Sequence, residues 1–284
     1  MTRVIALIDG STYSRSVCDH AAWIAARTGA GIDLLHVLGR RGAGSAPVDL
    51  SGSLDANGRE GLLAELASLD EQQARLALKR GRLILDDARA RLAEDGIADV
   101  GTRLRHGDLI EAVQEFETGA DMIVVGKRGE AADFARLHLG SNLERVARAS
   151  HKPVFVASRA FVPIERFLIA FDGGASAIKA VDHVAASPLF AGLACRLLMV
   201  GPDSDTPRAR LEDAARRLRE AGLTVDAAIL PGQPDAVIAR EVETGAIGLV
   251  VMGAYGHSRI RSLIIGSTTA EMIRSCLVPV LLFR

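Results

Sequence analysis

The sequence lacks several features that would each assign it to a large class of proteins. Its net charge is only −1 over 284 residues, and no dense basic cluster is present, so nucleic acid is not an expected partner. No apolar run approaches the roughly 20 residues that span a bilayer, which argues against a membrane partner. The first residues become acidic too early for a signal peptide. We therefore expect a cytoplasmic protein.

Cysteine is also scarce. The three cysteines, Cys18, Cys195 and Cys276, lie far apart and have no metal-ligand spacing. They are interpreted as reduced, mostly buried thiols, as is usual in the cytosol. What is abundant is apolar sequence, at 49% against 24% charged residues, which is typical of a globular protein. The length allows one large domain or two of ordinary size.

The chain repeats itself, and the repeat decides the architecture. The segment 3–10 matches 166–173, both ending in Asp-Gly, and the later segments 117–120 and 243–246 both read Glu-Thr-Gly-Ala. Each half ends in a proline-led apolar run, at 153–156 and 279–282. This pattern indicates a duplication, and the boundary between the two halves is placed at 159–165. The predicted domains are 1–160 and 161–284.

Each half alternates short aliphatic runs with amphipathic segments, which predicts βαβ units and a parallel sheet covered on both faces. A long helix is expected near 61–95 in the first half and a shorter one near 206–221 in the second. The Gly-, Ser- and Pro-containing stretch 39–59 is expected to be a loop. Predicted strands lie at 3–9, 32–38, 100–106, 121–126 and 153–158, and at 166–172, 194–200, 224–230, 247–253 and 279–283.

The most informative motif follows the fourth strand of the second half. It reads Gly253-Ala254-Tyr255-Gly256, then nine residues, then Gly266-Ser267-Thr268-Thr269. Glycines allow a close backbone approach, and free N–H groups with hydroxyls at a helix start favour an anion. The motif predicts a phosphate cradle. The alternative is a simple turn, with Ser267 acting only as an N-cap.

Ligands of open parallel sheets bind beyond the carboxyl ends of the strands, where the strand order reverses. That rule brings Asp9 or Asp172, the end of Val37 or Val200, and the glycine loops into one crevice. Asp172 has two interpretations at this point. It is either a ligand-binding residue or a structural N-cap for a helix starting near Ala175.

The duplication, the Asp-Gly strand ends and the Gly-x2-Gly-x9-Gly-Ser loop together resemble the universal stress protein family, in its tandem two-domain form. The resemblance covers nearly the whole chain. It implies two open parallel-sheet domains of the Rossmann-like, adenine-nucleotide α-hydrolase-like type. It also implies that the final strands of the two halves pair, which would form an intramolecular pseudo-dimer and cover two apolar sheet edges.

Many members of that family hold ATP or AMP in such a loop, so the resemblance implies a nucleotide in the second half. Gly253 would lie against the ribose, and Gly256 would approach the phosphates. Neutral donors bind phosphate without a P-loop lysine, at modest affinity. The other implied contacts are Ala170 and Asp172 on the first strand, Val200 at the adenine edge, Met252 near the base or ribose, and Gly266, Ser267, Thr268 and Thr269 at the phosphates.

The first half departs from the pattern. Its loop reads Gly126-Lys127-Arg128-Gly129, ten residues, then Gly140-Ser141-Asn142-Leu143, so it has one extra residue and fewer hydroxyls. Nucleotide binding is therefore expected chiefly in the second half. Lys127 and Arg128 could attract phosphate, although exposed loop cations are usually only solvated.

Catalytic signals are few, and whether the protein is an enzyme stays open. The Ser-Gly-Gly-x-Asp-Ser and His-x-Gly-His elements of related ATP-using folds are missing, while His257 could reach a phosphate. His20 and His183 are interpreted as packing residues. No metal site is predicted, and Mg²⁺ is expected only together with ATP.

The preferred function is a nucleotide-binding regulatory protein of the stress response. The alternatives are a nucleotide-independent scaffold and a slow ATPase or autophosphorylating protein. Expected partners are the adenine nucleotide, unidentified proteins and, in a further assembly, a second copy of the chain.

Overall fold

The computed structural model describes residues 1–39, 56–127, 141–254 and 276–284. The first half contains β1 (Arg3–Leu7), α1 (Thr12–Thr28), β2 (Gly31–Leu38), α2 (Ala56–Glu94), β3 (Val100–His106), α3 (Leu109–Glu117), β4 (Met122–Gly126), α4 (Ser141–Ala149) and β5 (Val154–Ala157). The second half contains β6 (Arg166–Ala170), α5 (Ala175–Ala186), β7 (Ala194–Val200), α6 (Asp205–Glu220), β8 (Thr224–Leu230), α7 (Pro234–Thr244), β9 (Leu249–Gly253) and β10 (Val280–Phe283).

The two halves share one ten-stranded sheet. Its strand order is β3-β2-β1-β4-β5-β10-β9-β6-β7-β8, and each half repeats the order 3-2-1-4-5. All neighbouring strands are parallel except β5 and β10, which pair antiparallel with Leu281 opposite Phe155. The predicted pseudo-dimer and the pairing of the two final strands are therefore confirmed.

Aliphatic runs form the strands because both faces of the sheet are covered. In β4, for example, Met122 to Val125 are all buried, whichever face they point to. Helices α1, α2, α5 and α6 cover one face, where a single apolar cluster extends across both halves. Helices α3, α4 and α7 pack on the opposite face.

The predicted strands agree with the structure to within two residues at each end. β1 and β6 end two residues early, at Leu7 and Ala170, because the Asp side chains that follow fold back on the backbone. The expected loop 39–59 is wrong at its end, since α2 already begins at Ala56, and residues 40–55 lie outside the described part. The domain boundaries at 160 and 161 stay a prediction.

Candidate functional site at the carboxyl edge of the second half

Three strand ends of the second half meet at one edge of the sheet. β6 lies between β9 and β7, and Ala170 is paired with Met252 on one side and with Leu198 on the other. The chain proceeds from β6 outward to β7 and β8, and then returns to place β9 on the other side of β6. The order thus reverses between β6 and β9, which is where open α/β sheets form their ligand crevice.

Ala170, Val200 and Met252 pack against the same apolar cluster, on the face of the sheet that carries α7. Met252 is buried, while Ala170 and Val200 keep part of their surface exposed. The sequence-predicted residues for the base therefore lie on one face, at the exposed end of three adjacent strands. Such a surface is apolar and can accept a flat ring.

Asp172 follows β6 and turns the chain into α5. Its Oδ1 accepts a hydrogen bond from the backbone N–H of Gly174 at 2.8 Å, and Gly173 takes a left-handed conformation with φ of 73°. The N-cap of α5 is Gly174, without a side-chain capping bond. The interpretation of Asp172 as the N-cap is wrong. The carboxylate instead stabilises the turn before the helix.

Gly253 is explained by packing as well as by the motif. A Cβ at this position would lie 2.9 Å from the Cβ of Ser176 and 3.1 Å from the backbone nitrogen of Ala177. The end of β9 therefore contacts the first turn of α5 so closely that only glycine fits. This contact places the start of the predicted loop beside the turn that contains Asp172.

The rest of the predicted cradle lies outside the described residues. This applies to Gly256, Gly266, Ser267, Thr268 and Thr269, and also to His257. The described chain ends at Ala254, whose N–H donates to the carbonyl of Phe283 at 2.6 Å, and resumes at the buried Cys276. The phosphate contacts of these residues stay a prediction.

In the corresponding turn of the first half a serine hydroxyl also takes part. Asp9 Oδ1 accepts hydrogen bonds from the N–H of Ser11 at 2.9 Å and from the Ser14 hydroxyl at 3.1 Å. Ser14 Oγ in turn accepts from the N–H of Gly10 at 2.9 Å. In the second half Ala177 replaces Ser14, so that this hydroxyl bridge is missing. Aligning the two halves would have revealed this difference, because Ser14 of the first half corresponds to Ala177 of the second.

Lys127 makes a contact that the sequence did not indicate. Its Nζ donates to the carbonyl oxygen of Cys276, in the other half, at 2.7 Å. Lys127 therefore ties the start of the first glycine loop to the segment that leads into β10. A lysine-to-carbonyl contact across 149 positions has no local signature, because every backbone carbonyl is an equivalent acceptor.

A cavity of about 490 Å³ lies between α5 and α6, close to this edge. Phe171 and Val181 are among its apolar residues, and Arg210 is among its charged ones. The Arg210 side chain lies over Gly173, with its Cδ 3.4 Å from where a Cβ would stand. Sequence reasoning missed this cavity, because it depends on how far apart two helices pack.

His20 and the three cysteines are buried, and the half-buried His183 packs against an aromatic ring. His20 contacts Phe155 and Phe161, with ring centroids 5.4 and 5.1 Å apart, and His183 contacts Phe283 at 5.0 Å. Burial lowers the pKa of both imidazoles. All three cysteines are free and buried, as predicted, and burial raises the pKa of Cys18 and of Cys195 to about 12.

Two fused open parallel sheets, each reversing its strand order beside a glycine at the end of its fourth strand, define a tandem Rossmann-like α/β protein. The chain belongs to the universal stress protein family, because residues 1–158 and 200–284 match the model of that family. It is 37% identical over 287 residues to the universal stress protein Slr1230 of Synechocystis, and the match covers 100% of both chains. The expected family is thereby confirmed.

Other relatives agree with this assignment. A universal stress protein of Mycolicibacterium smegmatis is 25% identical over 300 residues, which cover 98% of this chain and 95% of the relative. The crystal structure of a universal stress protein from Archaeoglobus fulgidus has a TM-score of 0.75 at 20% identity, covering 99% of this chain and 98% of that one. The fold is therefore that of full-length relatives. Among the helices in the described ranges, none is long and apolar enough to cross a bilayer.

Proposed function

We propose that this universal stress protein binds an adenine nucleotide, ATP or AMP, at the carboxyl edge of its second half. The observation that carries the proposal is the meeting of Ala170, Met252 and Val200 on one face, at the point where the strand order reverses. The Gly-x2-Gly-x9-Gly-Ser motif begins at that point, at the end of β9. An apolar floor for a base thus adjoins a loop suited to phosphates.

The proposed binding mode uses neutral donors. The base packs on Met252 and Ala170 with its edge toward the backbone of Val200, and Asp172 lies beside the ribose. Backbone N–H groups and hydroxyls from 266–269 bind the phosphates, assisted by the close approach that Gly253 and Gly256 allow. Mg²⁺ accompanies the nucleotide only when ATP is bound. The role we propose for binding is regulatory, through a shift of conformation or of partner binding in the cytoplasm.

The test is calorimetric titration of the purified full chain with ATP and AMP, comparing matched variants of the two loops. Ser267→Ala removes a charge-assisted hydrogen bond, typically about 1.5–3 kcal/mol, so the dissociation constant should rise about ten-fold or more. Gly266→Val should abolish saturable binding. The matched first-half variants Ser141→Ala and Gly140→Val should leave the second-half affinity unchanged.

Unchanged affinity in both Ser267→Ala and Gly266→Val would remove the site from this loop. A wild-type protein that binds neither nucleotide, and releases none on denaturation, would instead favour the scaffold function. Phosphate release from ATP that exceeds that of a Gly256→Val control would favour the slow ATPase.

A further inference from the structure

Helix α2 extends well beyond the sheet that it covers. Its 39 residues give a length of about 58 Å, whereas the equivalent α6 has 16 residues. Between 61 and 80 no side chain is buried, while Gly81, Leu85, Ala88 and Leu92 pack on the body of the protein. About half of the helix therefore has no buried side chain within the described range.

The projecting part of α2 carries leucines at a spacing of seven residues. They are Leu62, Leu69, Leu76 and Leu83, and the last three are 52, 66 and 60% exposed. Leu66 lies between the first two, on the same stripe. We call these five residues the leucine seam. Leu83 is two residues from the buried Gly81, or about 200° around the helix axis, so this end of the seam points away from the body.

Charge is distributed unevenly along the same stretch. Segment 65–71 contains the acidic residues Glu65, Asp70 and Glu71, and segment 75–82 contains the basic residues Arg75, Lys79, Arg80 and Arg82. Two copies of this stretch in parallel would place like charges side by side. Two copies in antiparallel orientation, centred on the boundary between the two segments, instead bring Glu65 of each chain to the basic segment of the other.

We propose that the leucine seam binds the seam of a second copy of this chain, as an antiparallel helix pair with a two-fold axis near Glu71. Sustained heptad spacing of apolar residues is what such a pair requires, and a two-fold axis makes one patch complementary to itself. In this register Leu66 of one chain packs on Leu76 of the other. Glu65 of each chain faces Lys79 of its copy.

The same register limits the strength of the contact. Gln73 and Arg80 occupy seam positions where an apolar residue would pack better, and Asp70 meets its own copy near the axis. The pair spans only about three heptads, or about 32 Å. We therefore expect a reversible dimer with a dissociation constant on the order of micromolar. The inference does not depend on nucleotide binding.

The first experiment is sedimentation velocity of the full chain from about 1 to 200 micromolar, a range that brackets the expected constant. The wild type should shift from monomer to dimer as the concentration rises. The double variant Leu69→Gln/Leu76→Gln should stay monomeric throughout, and its circular dichroism should remain that of the wild type because both side chains are exposed. Leu277→Gln makes the same change at an 85% exposed leucine outside α2, and should dimerise normally.

The second experiment tests the orientation by exchanging charges. Glu65→Lys and Lys79→Glu should each raise the dissociation constant about ten-fold, since each places two like pairs in the interface. An equimolar mixture of the two variants should restore association as a heterodimer, because every pair is then opposite in charge. The double variant Glu65→Lys/Lys79→Glu should also recover.

Three results would overturn the proposal. The first is a wild-type chain that stays monomeric at every concentration, which would mean that the seam has another occupant. The second is a dimer that survives Leu69→Gln/Leu76→Gln. The third is a tighter dimer for Glu65→Lys, which would indicate parallel helices, because that change would relieve repulsion between Glu65 and Asp70.

Discussion

The two halves use the same sheet but differ in what covers it. In the first half, Ile84 of α2 fills the space over the turn after β1, where a Cβ on Gly10 would lie 2.7 Å from Ile84 Cδ1. In the second half, Arg210 of α6 lies over Gly173, and a cavity of about 490 Å³ is present between α5 and α6. One half has closed this position with an aliphatic side chain, and the other has left it partly open.

The comparison also separates what the duplication preserved from what it changed. The strand order and the left-handed glycine after the first strand are the same in both halves. The polar contacts at the carboxyl edge differ, since Ser14 bridges Asp9 and Gly10 while Ala177 cannot. Buried strands tolerate few changes because every side chain is packed. Residues at the carboxyl edge have fewer packed neighbours, so one of them can change without changes in the others.

The largest expected effect is at the strand pair that joins the halves. Phe155 and Leu281 are fully buried opposite each other in β5 and β10. Phe155→Ala should lower the free energy of unfolding by about 3–5 kcal/mol and Leu281→Ala by about 2–5 kcal/mol, through lost transfer energy and a cavity. Urea denaturation measures both. A loss below about 1 kcal/mol in both variants would mean that the junction contributes little to stability.

An intermediate effect distinguishes the two turns. Both Gly10 and Gly173 have positive φ, 77° and 73°, so an alanine at either site costs about 1–2 kcal/mol. Gly10→Ala should cost at least about 1 kcal/mol more, because its Cβ displaces Ile84. In the double variant Gly10→Ala/Ile84→Ala that extra cost should disappear in a thermodynamic cycle. If Gly10→Ala and Gly173→Ala lower the free energy of unfolding equally, the Ile84 side chain moves aside without a measurable loss of stability.

The smallest effect concerns pH and the two equivalent histidines. Burial lowers the pKa of His20 and His183 below the ordinary histidine pKa of 6.5. As pH falls below 6.5, the unfolded chain therefore binds protons that the folded chain does not. Stability is therefore full above that pH and declines below it. His183→Leu should flatten the decline in thermal midpoint between pH 7 and 5. A thermal midpoint that declines as steeply as in the wild type would show that His183 does not contribute to the loss of stability at low pH.

His20, the equivalent of His183 in the first half, makes a hydrogen bond in addition to being buried. Its Nδ1 lies 3.1 Å from the Ser16 hydroxyl and 2.7 Å from the Ser16 carbonyl oxygen, while Lys179 replaces that serine in the second half. His20→Leu should therefore lower stability at neutral pH more than His183→Leu does, since it also removes a buried hydrogen bond.

The fold could be predicted from the sequence almost to the residue, for a physical reason. Runs such as 122–125 and 249–252 are apolar throughout, and a strand buried on both faces requires that composition. The pairing of β5 with β10 followed from the resemblance to a known family, and not from the residues themselves. The helix start at Ala56 was missed because Asn57 and Gly58 are typical of loops.

The candidate site could be predicted only in part. The general rule for strand ends brought Asp172, Val200 and the glycine loop into one crevice, and the family resemblance added Ala170 and Met252. The turn made by Asp172, the packing of Gly253 on α5 and the contact from Lys127 to Cys276 depend on distances between elements. Such distances are set by the packing of many side chains at once, which a local motif does not encode.

The antiparallel junction has a consequence for aggregation. It leaves β3 and β8 as the outermost strands of the sheet, and each carries at least one charged residue. β3 carries Arg103 and Arg105, both positioned over the ring of Phe116, and β8 carries the largely exposed carboxylate of Asp226. Charged rims disfavour the addition of a further strand. Because the apolar strands β5 and β10 pair with each other, the edges that the described sheet leaves open are the ones less suited to adding another strand.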